Sequence, residues 1–545
     1  MLSSARMKSP LFWLKLSGLL AIVAFGAAIR ISGFSNGDPW FDDAWVILST
    51  KVGLGSAVHM VDTTPLFTLG IRGWMGFHPG SLWWAQLPAF ALGLGAIVAV
   101  FSLIRYFRIW WPLAFLGALV VASSPVVINY STRVKQYNLD IILACAVLWL
   151  FERWRQSASR RDAAVLAATG SLSLLISATT STVIAPMCAI AVLCALKERR
   201  RVRDVAIVIG AVGTTFVVDY VVWLGHLSHG LHVGWTNRGY LLGFKSVHLF
   251  AFALQNMGSE FFHWMIGVPT GHPPDPSKAI TPAGIIIAVM AAVLLVTLVW
   301  PTTRSLIRRS SQLPPALGVA ATSLVFAVVL ALAGVSPFGG GRTDEVIYPG
   351  LLLLMTGLVA KFAVTAKKVG SNFLVLGVVV AASGCVTVGV LNRAHYPVIN
   401  LRSLYAQFHS QVKPTDLIVV DPWMTFTWAD LSLSKTEVAF NKTFFDWSQG
   451  FHVVSLESHV IISDQYFFPN VTYTLLGDYM KLHPARIWYV GETENSPLPH
   501  AAPVSLLLPT RNLAYLLARG WVPTTTVYQS THTMALLLRY VAPPR

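Results

Sequence analysis

Ser81-Leu-Trp-Trp-Ala-Gln-Leu-Pro-Ala-Phe-Ala-Leu-Gly-Leu-Gly-Ala-Ile-Val-Ala-Val-Phe-Ser-Leu-Ile104 carries no charge, and it runs straight into Arg105-Tyr-Phe-Arg108 and a second apolar run, Ile109–Ile128. An apolar run of roughly 20 residues is the length that crosses a bilayer as a helix. A short basic turn between two such runs marks a cytoplasmic loop. Further runs occur at Leu11–Ile31, Asn138–Phe151, Asp204–Leu224, Thr281–Trp300, Pro315–Gly334, Val346–Val364 and Asn372–Leu391. Ala163–Leu196 is too long for one crossing and contains Ser177-Ala-Thr-Thr-Ser-Thr182, so it predicts two short helices joined near the far surface. The total is about eleven spans of the bilayer-crossing length.

Composition agrees with that reading. Of the 545 residues, 54% are hydrophobic and only 12% charged, whereas a soluble domain carries about a quarter of its residues as Asp, Glu, Lys or Arg. These proportions exclude a cytosolic enzyme, a disordered chain and a nucleic-acid binder, and they give the protein a lipid bilayer as its solvent. The formal net charge of +16 does not point to nucleic acid, because 29 of the 40 Lys and Arg residues lie in the apolar part, before Asn392. There, loop charge sets orientation. With the N-terminus in the cytoplasm, 18 of those 29 fall in cytoplasmic loops, among them Arg105, Arg108, Arg153, Arg160, Arg161, Arg200, Arg304 and Lys367. An odd number of spans then puts the tail outside. The first span lacks a small-residue cleavage site and reads as a retained helix rather than a signal peptide.

The expected architecture is therefore an α-helical polytopic membrane protein: a transmembrane domain over residues 1–391 and an exterior α/β domain over residues 392–545. In the tail, β-rich runs at Leu417–Val420, Val460–Ser463, Ile487–Val490 and Ala535–Leu538 alternate with helical patterns near Leu401–Val412, Tyr473–Leu482 and Asn512–Arg519. That order predicts a small α/β fold, and it contains no glycine-rich phosphate loop. The four cysteines all fall in spans and read as buried core thiols.

Acidic residues are scarce in the apolar part, and most fall on the predicted exterior. Asp38, Asp42, Asp43 and Asp62 follow the first span, Glu260 and Asp275 lie in the long loop Gly225–Ile280, Asp344 and Glu345 precede the tenth span, and Asp140 and Asp219 sit near the outer ends of theirs. Three patterns stand out. Asn36-Gly-Asp-Pro-Trp-Phe-Asp-Asp-Ala-Trp45 places two adjacent carboxylates at the start of an amphipathic segment. Such a pair suits general-base work or metal binding, and a helix N-cap is the plainer alternative. Ser124-Pro-Val-Val-Ile-Asn-Tyr-Ser-Thr-Arg-Val-Lys-Gln-Tyr-Asn-Leu-Asp140 brings two cations and two tyrosines to the end of a span. These are donors for an anionic group, or simple interfacial anchors. Pro337-Phe-Gly-Gly-Gly-Arg-Thr-Asp-Glu-Val-Ile-Tyr-Pro349 is a glycine-rich loop that presents Arg342. It fits close approach to a phosphate, or a tight turn. Asp219 is an intramembrane acid and a functional candidate for that reason, with pairing to Arg30 or Arg133 as the structural alternative. His226, His229 and His232 recur in the long loop, a weak metal signal.

Taken together, these motifs resemble the GT-C superfamily of polyprenyl-phosphate-sugar-dependent glycosyltransferases: they look like glycosyltransferase family 39 and like relatives of the protein O-mannosyltransferases and the aminoarabinose transferases. Asp42-Asp43 matches the acidic pair of the first exterior loop. Thr64-Pro65-Leu66-Phe67 matches a proline-leucine segment that opens an aromatic helix. Ser124-Pro125, Tyr130-Ser131, Lys135 and Tyr137 match a serine-proline stretch leading to tyrosine, a basic residue and tyrosine, and Pro337–Arg342 matches a late proline-phenylalanine-glycine-arginine loop. The chain departs from the pattern at Asp43, where glutamate is commoner, at Lys135, where arginine is frequent, and at Thr64, where a second proline is usual. The resemblance covers nearly all of residues 1–391 and fades in the tail.

The resemblance implies a membrane glycosyltransferase that takes a sugar from a polyprenyl-phosphate donor to an exterior glycan, lipid or protein hydroxyl with inversion. Asp42 would serve as base and Asp43 would position it. Arg133, Lys135, Tyr137 and Arg342 would hold the donor phosphate, and Asp62, Glu260 and Asp219 are candidates for acceptor or metal binding. No cofactor is expected, although a divalent metal is compatible with the acids. The alternatives are a flippase for an anionic polyprenyl lipid, which needs charges along the interior of its spans, and a metal-dependent oligosaccharide transferase.

Overall fold

The computed structural model describes residues 10–35, 37–50, 64–79, 81–197, 202–224, 314–336, 345–365, 371–395, 401–408, 411–413, 416–420, 459–462, 486–492, 516–529 and 533–540, with isolated positions between 286 and 299. The chain is mainly helical and is a multi-pass membrane protein: among the described residues five helical segments, Pro10–Ile31, Leu82–Tyr106, Ala178–Leu196, Val202–Val222 and Pro315–Leu332, are long and apolar enough to cross a bilayer. In chain order the helices are α1 (Pro10–Ile31), α2 (Phe41–Ser49), α3 (Pro65–Met75), α4 (Leu82–Tyr106), α5 (Trp111–Ser123), α6 (Pro125–Tyr130) and α7 (Tyr137–Ser157). They continue as α8 (Arg160–Ile176), α9 (Ser181–Lys197), α10 (Val202–Asp219), α11 (Pro315–Leu332), α12 (Tyr348–Thr365), α13 (Ser371–Leu391) and α14 (Leu401–Phe408).

Two boundaries differ from the expectation. The run Ile109–Ile128 is not one helix. It stops at Ser123, and Ser124 takes φ −59° and ψ 121° before Pro125 opens α6, because a residue ahead of proline is pushed out of the helical region. The fourth run is longer than Asn138–Phe151. Helix α7 covers 21 residues and carries its polar last turns on past Arg153, where hydropathy alone sees an end. The break inside 163–196 falls at Ser177, and a short 3-10 turn, Ala178–Thr180, leads into α9. The run Thr281–Trp300 lies largely outside the described residues.

Packing gives the bundle two chemically distinct ends. α7 packs on α4, α8, α11 and α12, and its residues Phe151 and Trp154 are fully buried in the common core. At the end of α7 that carries Ser157, Arg153 pairs with Asp162 at 3.0 Å, and Glu152 accepts from the backbone N–H of Ala316 at 3.2 Å. There too, Arg105 and Lys15 lie over Trp111 at 4.0 and 4.3 Å from its centroid. Cations with an aromatic partner and a few neutralising acids are what a basic loop face needs. The opposite end, at Tyr137, collects the tips of α1, α2, α4, α6 and α9.

Among its described residues the tail forms a five-stranded sheet in the order β2-β1-β3-β5-β4, with β1 (Leu417–Val420), β2 (His459–Ile462), β3 (Ile487–Glu492), β4 (Trp521–Gln529) and β5 (Thr533–Tyr540). β1 runs parallel to β2 and β3, and β5 runs antiparallel to β3 and β4. The continuous apolar reading of β1 and β3 reflects burial of central strands on both faces. β4 was not legible as a strand, since it contains Pro523 and two register shifts. Its edge position makes a missing N–H tolerable. Of the expected helical patterns, 473–482 lies outside the described residues.

Candidate active site

The break before Pro125 creates the platform of the site. From there the chain makes α6, a turn over 131–136, and the start of α7, and each step is held from a different helix. Ser131 Oγ donates to Val127 O at 2.6 Å and accepts from Asn138 Nδ2 at 3.1 Å and from Arg30 Nε at 2.8 Å. Gly93 of α4 faces this hydroxyl so closely that a Cβ there would stand 2.1 Å from it. Gln86, fully buried, donates to Thr132 O at 2.8 Å and accepts from Ser35 N at 3.1 Å. A buried amide placed this way spends both of its polar ends on loop backbone.

The acid pair meets this turn. Asp43, with no exposed surface, accepts from the backbone N–H of Val134 at 2.7 Å through Oδ1 and pairs with Arg133 Nη1 at 3.4 Å through Oδ2. Burial of a carboxylate is tolerable because both oxygens have partners. Arg133 also lies 5.4 Å from the centroid of Trp40, an aromatic face over which a guanidinium sits favourably. Lys135 is buried, two residues beyond Arg133. Tyr137 is buried against Tyr130, with ring centroids 4.5 Å apart. A carboxylate of the first loop and a guanidinium of the second, ninety positions apart, thus form one ion pair, on a turn that also carries Lys135 and Tyr137.

The remaining expected residues divide cleanly. The backbone of Asp42 lies in the first turn of α2, while its side chain, like Asp62, Glu260, Arg342 and the three histidines, lies outside the described residues. Asp219 is buried where α10 gives way to a π turn, Tyr220–Leu224. Its Oδ1 has no hydrogen-bond partner among the described residues. The alternative of pairing with Arg30 or Arg133 does not hold: Arg30 bonds Ser131 and backbone carbonyls, and Arg133 pairs with Asp43. Among the described residues no three His, Cys, Asp or Glu side chains converge to hold a metal.

The chain is similar in its overall trace to ArnT from Cupriavidus metallidurans in the apo state, at 11% identity and TM-score 0.48, over 96% of this chain and 98% of that one. It is likewise similar to the same protein bound to undecaprenyl phosphate, at 12% identity and TM-score 0.49, over 97% and 98%. No family model and no curated protein matches the chain.

Two features of this end had a weaker sequence signal. Asp140 is fully buried and accepts from Thr179 Oγ1 at 2.8 Å, and Thr179 in turn contacts Ser177 Oγ at 2.9 Å. It follows Tyr137 by three residues on α7, so the two share a helix face, and that spacing was the available clue. Arg30, near the end of the first span, entered the sequence reading only as a possible partner of Asp219, yet it is wholly buried and bonded elsewhere.

Proposed function

We propose that the protein is a membrane glycosyltransferase that transfers a sugar from a polyprenyl-phosphate donor to a hydroxyl acceptor on the exterior face. One observation carries this reading: the buried Asp43 joins the acid pair to the turn that bears Arg133, Lys135 and Tyr137. Nucleophilic displacement at a sugar phosphate needs those two functions side by side, a base for the acceptor and cations for the leaving group. The motif resemblance of residues 1–391 agrees.

In the proposed reaction the acceptor O–H gives its proton to the Asp42 carboxylate as its oxygen bonds to the anomeric carbon. The bond from that carbon to the phosphate oxygen breaks, and its electron pair leaves with the polyprenyl phosphate, inverting the centre. Lys135, Arg133 and Arg342 stabilise the charge that grows on the phosphate, as preorganised cations do. Asp43 keeps Arg133 and the turn in register with α2. The polyprenyl chain lies along the apolar helices.

The flippase alternative gains nothing from the arrangement of charge. Among the described residues, ionisable side chains gather at the two ends of the bundle, and the layer between them is apolar. The reading is tested by supplying purified protein, in detergent, with a panel of synthetic polyprenyl-phosphate sugars and an acceptor-bearing envelope fraction. Release of polyprenyl phosphate with sugar transfer is expected for at least one donor. Lipid movement across vesicles without any release supports the flippase instead.

A further inference from the structure

We infer that Arg30 is a positioning residue, whose guanidinium fixes the turn 131–137 and thereby sets where Lys135 and Arg133 stand. The inference rests on the reading of that turn as the donor-phosphate site.

The argument starts from Pro125. In a continuous helix the carbonyl of Val121 would accept from the N–H of residue 125, but proline has none. Helix α5 therefore ends with carbonyls that need a donor from elsewhere, inside a bundle where water is scarce. Arg30 supplies it: Nη2 donates to Val121 O at 3.2 Å, and Nη1 donates to Ala122 O at 2.7 Å and to Gly26 O at 2.9 Å. The third nitrogen points the other way across the break, with Nε donating to Ser131 Oγ at 2.8 Å. One planar fork thus spans the end of α5 and the start of the cation-bearing turn. A wholly buried cation is costly to keep, and an apolar residue of similar volume would serve helix packing alone.

Ser131 is the hinge point of this device. Arg30, Asn138 and Val127 all bond its hydroxyl, and Gly93 leaves it just enough room. Arg133 and Lys135 follow within four residues. Gln86 holds the carbonyl of Thr132 and Asp43 holds the N–H of Val134 from the outer side. Among these pins Arg30 reaches the turn from within α1 and is the cation, as Asp43 is the anion from α2. Lysine cannot replace it, because a single ammonium does not reproduce bonds that diverge from a rigid fork.

The test is a double-mutant cycle on the full-length protein, read as turnover at saturating polyprenyl-phosphate sugar and as equilibrium binding of polyprenyl phosphate. Arg30→Lys should lower turnover about tenfold or more, because small misplacements of a positioned group cost up to about a hundredfold. In a Lys135→Ala background the same change should add less than about threefold to the loss in either readout, because the two act through one turn. Ser131→Ala keeps Arg30 and its carbonyl bonds, and should lose activity in the same direction with the same coupling. It decides the matter if Arg30→Lys fails to fold. Wild-type turnover in Arg30→Lys or Ser131→Ala, or losses that multiply independently of Lys135→Ala, reduce Arg30 to a helix cap and overturn the inference. If the wild type itself releases no polyprenyl phosphate from any donor, the functional reading falls and this inference with it.

Discussion

Asp42 and Asp43 are adjacent in sequence but are asked to do different work. Asp43 is committed to the protein, with one oxygen on the N–H of Val134 and the other on Arg133, which leaves Asp42 as the base of the proposed reaction. Asp42→Asn keeps the shape and removes the basicity. It should leave less than about a tenth of wild-type turnover, since positioned acid–base groups contribute about 10²–10⁴-fold. Asp43→Asn should be milder in turnover but should loosen the turn, visible as faster protease cleavage near residue 133. The cations make a second prediction at this scale. A group that touches a leaving phosphate stabilises the transition state more than the ground state. Lys135→Ala and Arg342→Ala should therefore each lower turnover at saturating donor, with Lys135→Arg largely tolerated and the two losses less than multiplicative. If both variants merely raise the donor KM and combine independently, they are recruitment sites, and the leaving-group role rests on another exterior cation such as Arg133 or Arg238.

Elements explain which parts of this arrangement were readable. The apolar runs fixed where most helices lie, and alternating β-rich runs fixed four of the strands, because burial dictates those patterns directly. The acid pair, the cations and both tyrosines of the second loop were legible as chemistry without a framework. What joins them was not: Gln86 and Gly93 sit inside an apolar helix, and their importance appears only when another segment approaches. Arg30 was hidden in a similar way, since a cation near a helix end shows its role only when its partners are known. In the tail, Asp416 is the comparable case. It is fully buried, accepts from Arg486 Nε at 2.9 Å, from Trp488 Nε1 at 3.0 Å and from the N–H of Lys413 at 2.8 Å, and so ties the start of β1 to β3. Asp416→Ala strands a guanidinium and should cost about 3–5 kcal/mol locally. The check is limited proteolysis of the full-length protein, in which cleavage around 411–420 should accelerate while the membrane part stays intact.

Across the whole molecule, charge and topology support each other. The end of the bundle with Arg105, Arg153, Arg160 and Arg161 is the basic face, and the end with Asp43, Arg133 and Asp140 is the proposed exterior. Single cysteines in a cysteine-free background, placed at positions 160 and 530 and exposed to an impermeant reagent on intact cells, should label in the tail and not at 160. The reverse pattern would place the acid pair in the cytoplasm, where nucleotide sugars are available, and would remove the reason for a lipid-linked donor.

The central claim is that the acids of the first loop and the cations of the second act as one site on a lipid phosphate. It is tested most directly by following polyprenyl phosphate released in a single turnover from purified wild-type protein, Asp42→Asn and Lys135→Ala, all saturated with the same polyprenyl-phosphate sugar. The account predicts release by the wild type and a loss of more than about tenfold in each variant, in line with the contribution of acid–base and electrostatic groups. Release at the wild-type rate by both variants, with donor still bound, would contradict it.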